Sequence, residues 1–246
     1  MPKSVSARIF VALMIVSGFL ILGNAILNAE SQNVVRFIAF LAVAVLAARC
    51  KVKLPGLTGT MSVNLPFILI AAAEMGAAES LVIGFLSTLA QCWPTGKKKF
   101  NVVQVAFNCC AITLAVEVAR LVYNSNLIGA SVSSDSLRLV IAAAGYFMVN
   151  TMSMAIVISL TESVNVLRTW MEMLQLSFPY VVASAGIAGV ALTLSHDVGW
   201  QIPVAVLPIM AGIFQSYRRY FAIAAEEGLA SSRMKESSGA AAGVHA

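Results

Sequence analysis

The chain has 246 residues, of which 59% are hydrophobic and 11% charged, with a mean hydropathy of +0.87 and a formal charge of +5. A soluble surface calls for roughly 25% charged side chains, and the apolar residues here fall in runs, several of them near the roughly 18 residues that suffice to cross a bilayer as a helix. A soluble enzyme or a nucleic-acid binder is excluded. The composition specifies an all-α integral membrane protein, a polytopic bundle.

The first hydrophobic segment is Ile9 to Ile26, preceded by Lys3 and Arg8. It has the flanks of a signal peptide, but we read it as a first transmembrane helix. Val34 to Ala48 follows, closed by Arg49, Lys51 and Lys53. The stretch Leu54-Pro-Gly-Leu-Thr-Gly-Thr60 is too rich in turn residues for a regular helix. Met61 to Ala73 and Ser80 to Trp93 are short, each covering about 20 Å of a roughly 30 Å core. They form either two short spans or a re-entrant hairpin, with Glu74 and Glu79 at its tip. Both arrangements return the chain to its starting side.

Val102 to Tyr123 is a clear span, Asn124 to Ser136 a polar loop, and Leu137 to Leu160 the next span. Thr161 to Glu172 reads as a mixed connecting stretch. Leu174 to Leu194 and Gln201 to Gln215 bring the count to eight segments, and Tyr217-Arg218-Arg219-Tyr220 anchors the last one at an interface. Residues 1–222 are thus expected to form one polytopic membrane domain. Residues 223–246 form a short cytoplasmic tail, its last part disordered because its small residues bury too little surface to offset ordering entropy.

Charge placement sets the orientation. With the amino terminus in the cytoplasm and eight crossings, Lys3, Arg8, Arg49, Lys51, Lys53, Lys97–Lys99, Arg168, Arg218, Arg219, Arg233 and Lys235 fall inside. Only Arg36, Arg120 and Arg138 fall outside, thirteen against three. Both termini are then cytoplasmic.

Ionisable and amide groups at membrane depth are costly and carry a functional hypothesis by default. Thr113, Glu117 and Arg120 share one helix face, which makes Glu117 either a ligand or proton acceptor, or half of an ion pair with Arg120. Asn150 and Thr151 lie near the middle of their segment, where an amide needs a partner such as Asn108. Asn108, Glu117, Asn150 and Thr151 are therefore the candidate ligand-binding residues, lining a polar cavity between the fifth and sixth segments; the alternative is direct interhelical hydrogen bonding. Ser195-His196-Asp197 reads as a solvated loop rather than a catalytic triad, whose members must meet with a specific geometry in space. Small residues from Ala183 to Gly189, with Ala44-xxx-Ala48 and Ala73-xxx-Ala77, mark close helix packing or a partner helix. Cys50, Cys92, Cys109 and Cys110 show no metal-ligand spacing. No catalytic fingerprint is present, so no enzymatic activity is expected, and the composition names no cofactor.

The runs Leu54-Pro-Gly-Leu-Thr-Gly-Thr-Met-Ser-Val-Asn-Leu-Pro-Phe67, Glu79-Ser-Leu-Val-Ile-Gly-Phe85, Ala90-Gln-Cys-Trp93 and Val103-Gln-Val-Ala-Phe-Asn108 carry a resemblance. So do Tyr146-Phe-Met-Val-Asn-Thr151, Ser177-Phe-Pro-Tyr180, Gly199-Trp200 and Leu207-Pro208. Together, over roughly residues 5 to 222, they resemble bacterial membrane-associated sensor domains of the MASE type, which are usually fused to diguanylate cyclase or HD-GYP domains. The resemblance implies a non-catalytic sensory or ligand-binding module in the bacterial inner membrane, acting through partner proteins. An output domain is not expected after residue 222, so cyclic-dinucleotide chemistry is not carried over. A second resemblance, to substrate-binding membrane subunits of energy-coupling-factor transporters, rests on size and small-residue helix faces. A structural subunit of a larger complex would need only the packing faces. The expected partners are the lipid bilayer, other membrane or cytoplasmic proteins and a second copy of the chain, with no nucleic acid.

Overall fold

A computed structural model describes residues 4–29, 33–53, 60–94, 101–198, 201, 205–216 and 219. Four of its helices begin where a polar side chain takes up an orphan N–H. Ser4 accepts from the Ala7 N–H to start α1 (Val5–Leu27), and Asn33 from the Arg36 N–H to start α2 (Val34–Arg49). Asn101 accepts from Gln104 at α5 (Val102–Tyr123), and Ser134 from Leu137 at α7 (Asp135–Glu162).

Between α2 and α5 the chain forms a ladder and a broken hairpin. Strand β1 (Lys51–Lys53) pairs antiparallel with β2 (Thr60–Ser62), Val52 opposite Met61. The expected helix start at Met61 is therefore corrected. Met61 and Ser62 belong to the ladder, and α3 (Leu65–Glu74) begins at a proline turn, where the missing N–H of Pro66 costs nothing. At ten residues α3 is about 15 Å long, and every residue from Leu65 to Ala72 is buried. After a break at Met75–Gly76, α4 (Ala77–Cys92) runs back. Ala73 and Ala77 thus sit on different helices, so the small-residue spacing read across them makes no common face.

The polar loop before α7 contains a short helix, α6 (Asn126–Ser131). The stretch expected to connect two spans, Thr161 to Glu172, is mostly helical, with a tight corner at Ser163–Asn165. Ser163 takes a left-handed conformation (φ 57°) after α7, and Asn165 accepts from the Leu167 and Arg168 N–H groups to begin α8 (Val166–Val198). An Arg168–Glu172 pair at i, i+4 spacing supports that first turn. Ser195, His196 and Asp197 lie within α8, not in a loop. The last of the described helices is α9 (Ala205–Ser216).

Among the described residues the protein is helical apart from the three-residue ladder. Four helices among the described residues are long and apolar enough to cross a membrane: Val5–Leu27, Val102–Tyr123, Asp135–Glu162 and Val166–Ser195. The others are shorter. Helix α3 fills the centre, touched by α2, α4, α5, α7 and α8. That is how a ten-residue apolar helix with irregular flanks is housed: non-helical backbone is tolerated at membrane depth where protein covers it. Helix α1 packs outside on α5, with only 11% of its apolar stretch buried. The chain reverses at each connection, giving a near end with Ser4, Arg49, Trp93 and Leu160, and a far end with Arg36, Glu74, Tyr123 and Ser195. Lys97–Lys99, Gly199–Trp200, Arg218 and the 223–246 tail lie outside the described residues.

Candidate functional site

Two polar centres stand on the ends of α3. At its amino end the chain passes from strand to helix inside the bundle, where orphan backbone groups have no water to meet them. Asn64 precedes the helix but makes no side-chain cap. Its carbonyl oxygen accepts from the Ser62 hydroxyl at 2.7 Å, and its amide donates to Ser87 Oγ on α4 at 3.2 Å. The missing cap is supplied from α8. Tyr180 accepts from the Leu65 N–H at 3.3 Å and donates to the Ser62 carbonyl at 2.7 Å. Ser62, Asn64, Ser87 and Tyr180 are all buried. Four elements thus meet in a closed set of hydrogen bonds.

At the carboxyl end of α3, Glu74 accepts from Arg36 of α2 through one oxygen and from the Ser195 hydroxyl of α8 through the other. The guanidinium also lies over Phe40, 5.8 Å from the ring centroid. Helix α8 therefore holds both ends of α3. Glu74, expected at the tip of the hairpin, is committed to an ion pair. Glu79 instead accepts from the Gly76 N–H at 3.2 Å at the start of α4.

The other two far-end arginines are paired as well. Arg120 meets Glu117 through two hydrogen bonds of 2.8 and 2.9 Å. Arg138 lies 3.5 Å from Asp135, donates to the Tyr123 carbonyl at 2.8 Å and covers the Tyr123 ring at 5.1 Å. All three arginines that run against the charge bias thus have a carboxylate beside them. At the near end, Arg49 and Lys51 instead donate to the Ala90 and Trp93 carbonyls closing α4, where a cation suits the negative helix end.

The four sequence candidates do not form one cluster. Glu117 is taken by Arg120. Thr151, buried on α7, donates to the Phe147 carbonyl at 2.7 Å and accepts from the Trp170 indole at 3.1 Å. The Asn108 amide faces Cys92 Sγ of α4 at 3.5 Å. Among the described residues no hydrogen bond joins Asn108 to Asn150. The helix register explains this: Gly145 faces Val118 and Val122, which sets half-buried Asn150 about 10 Å along the helix from Asn108. Of the residues that do converge, Ser62, Asn64 and Tyr180 were legible only as family-like motifs, and Ser87 lies in none of the quoted runs. Ser62 and Tyr180 lie in two of the quoted runs, which the fold brings together.

The small residues divide similarly. Ala44, Ala47 and Ala48 are buried, and Gly189 packs on Ser136 of α7. Gly186 instead lines an apolar groove of about 330 Å³ between α8 and α9, with Val190, Leu194, Val206 and Ile209. Among the described residues no group of three or more metal-ligating side chains converges.

The MASE9 family model matches residues 8–218. The chain belongs to that family, and so to the MASE type of membrane-associated sensor domain. Comparison with curated proteins and with solved structures finds no match.

Proposed function

We propose that the chain is a multi-pass sensory module of a bacterial cytoplasmic membrane, with eight hydrophobic segments and both termini in the cytoplasm, acting without catalysis through partner proteins. The observation that carries this reading is the family match over residues 8–218. The charge arrangement supports the orientation. A cation at the outer end runs against the insertion bias, and each of the three far-end arginines stands beside a carboxylate, while at the near end Arg168 pairs with Glu172 on the exposed first turn of α8.

Signal input in this reading falls at the far end, where Glu74 ties α2, α3 and α8, and output at the near end. Asn108, Glu117 and Thr151 act as ties within and between helices, and Asn150 remains the candidate ligand contact at mid-depth. The transporter alternative drew on small-residue faces free for a partner. Those of α2 and Gly189 are used within the chain itself, whereas Gly186 meets nothing within 4 Å, so that alternative keeps only part of its support.

The test is a chimera in which residues 1–222 replace the membrane part of a diguanylate cyclase. Cyclic-dinucleotide output is compared with and without Glu74→Gln at matched membrane levels. A sensory module gives an output that this far-end change shifts. Output indifferent both to that variant and to removal of the whole module would reject the reading.

A further inference from the structure

Helix α8 is two different helices in one. From Val166 to Pro179 no residue is buried; from Tyr180 onward buried residues recur with helical spacing, among them Val181, Ser184, Ala185, Ala188 and Ala191. The change falls at the one proline inside the helix. Pro179 has no N–H to give the Gln175 carbonyl, so the backbone ladder is already open at this point. Here the helix passes from a half-buried stripe that includes Trp170, Met173 and Leu174 to fully buried positions.

The polar ties follow the same division. Beyond the proline, Tyr180 bonds β2 and α3, Ser195 bonds Glu74, and Thr193 and Gly189 meet Ser136 of α7. Before it, the Arg168–Glu172 pair is internal to the helix, and one side-chain hydrogen bond reaches another element, from Trp170 to Thr151 at 3.1 Å. Length points the same way. Thirty-three residues extend about 50 Å against a hydrocarbon core of about 30 Å, so a helix anchored from Tyr180 to Ser195 projects its first turns beyond that core. Arg168 and Glu172, both exposed, suit that place.

We propose that residues 166–178 form an arm hinged at Pro179 and latched to α7 by the Trp170–Thr151 hydrogen bond. In the latched state the indole N–H sits on the Thr151 hydroxyl. Release frees the arm to rotate against α7 while residues 180–195 stay fixed on α3. The module thereby has a moving part at its near end, held on α7 by a half-buried stripe and by one polar bond between two neutral groups.

The proposal is tested by amide hydrogen exchange on the full chain in lipid nanodiscs, read peptide by peptide. A net hydrogen bond is worth a factor of roughly three to tenfold in an opening equilibrium. Trp170→Phe should accelerate exchange in 166–178 by about that factor and leave 180–195 unchanged, while Pro179→Ala, which restores the missing N–H, should slow the arm. If Trp170→Phe disturbs the whole fold, Thr151→Val removes the acceptor without changing side-chain shape, and should reproduce the selective acceleration. Unchanged arm exchange in Thr151→Val, or acceleration shared equally by both halves of α8, would overturn the hinge.

Discussion

Arg36 and Glu74 each stand at the wrong end of their own helix and at the right end of the other's. Arg36 is in the first turn of α2, where the positive helix pole disfavours a cation, and Glu74 is the last residue of α3, where the negative pole disfavours an anion. The two helix ends lie side by side, so each charge is stabilised by the neighbouring pole as well as by its partner. Removing one partner strands the other. For buried pairs that costs roughly 3–5 kcal/mol, but with side-chain exposures of 27% and 12% about 2 kcal/mol is expected. Glu74→Gln should therefore lower the thermal transition of the purified protein by about 4–8 °C. The double variant with Arg36→Gln should lose less than the sum of the two single losses. Additive losses would show that the pair is not coupled.

Tyr180 is the only described side chain that serves both sides of the strand-to-helix junction before α3. Tyr180→Phe keeps the ring and leaves the Leu65 N–H and the Ser62 carbonyl without their partner. An unmet buried group costs about 1–3 kcal/mol, so this deletion of a single oxygen should destabilise by at least about 2 kcal/mol. Ser87→Ala, which removes the acceptor of one amide hydrogen at 3.2 Å, should cost less. Thermal unfolding in detergent ranks the two, and a Tyr180→Phe protein as stable as wild type would mean that the junction finds other partners.

Composition and hydropathy made the membrane character and most helix positions readable, because a run of apolar residues announces a helix whatever it packs against. Contacts between helices were less legible. The Glu117–Arg120 pair was visible because i, i+3 spacing is local. Glu74 with Arg36 was not, since it depends on α3 stopping after ten residues beside the start of α2. Tyr180 could not be assigned to Leu65 from sequence, 115 positions apart. The corner at Ser163 was hidden for a different reason. The polar residues from Thr161 to Glu172 suggested a connection, yet an Asn165 cap and an i, i+4 ion pair make most of that stretch helical.

Glycines give a contrast that the sequence pattern could not supply. Gly186 and Gly189 looked equivalent as packing residues, whereas Gly18 in α1 drew no attention. A Cβ at Gly18 would lie 2.4 Å from the Cys110 Cβ and 2.8 Å from its Cα, too close for any side-chain adjustment to relieve, whereas one at Gly186 meets nothing within 4 Å. Gly18→Val should lift α1 from α5, lower the thermal transition and open the buried Cys110 thiol to maleimide, mapped by mass spectrometry. Gly186→Val should behave as wild type. Protection of Cys110 in the Gly18→Val protein would show that α1 docks elsewhere along α5.

The orientation prediction joins the charge bias to the positions of the arginines. If the far end faces outward, Asn124 to Ser136 is external, and Ser133, just before the Ser134 cap of α7, is reachable there. Lys98, in the basic run between α4 and α5, then faces the cytoplasm. In intact cells a membrane-impermeant maleimide should label Ser133→Cys and spare Lys98→Cys, and permeabilisation should expose the second site. The background is controlled with the parent protein, whose Cys109 and Cys110 are buried and whose Cys50 and Cys92 are partly covered. Because Arg36, Arg120 and Arg138 each lie beside a carboxylate, replacing Glu74, Glu117 and Asp135 together by neutral amides strengthens the basic character of the far end. Labelling at Ser133→Cys should nevertheless stay close to that of the parent, since the positive-inside bias counts Lys and Arg and acids contribute little. Labelling of Lys98→Cys in place of Ser133→Cys in the otherwise unmodified chain would reverse the assignment of the two ends.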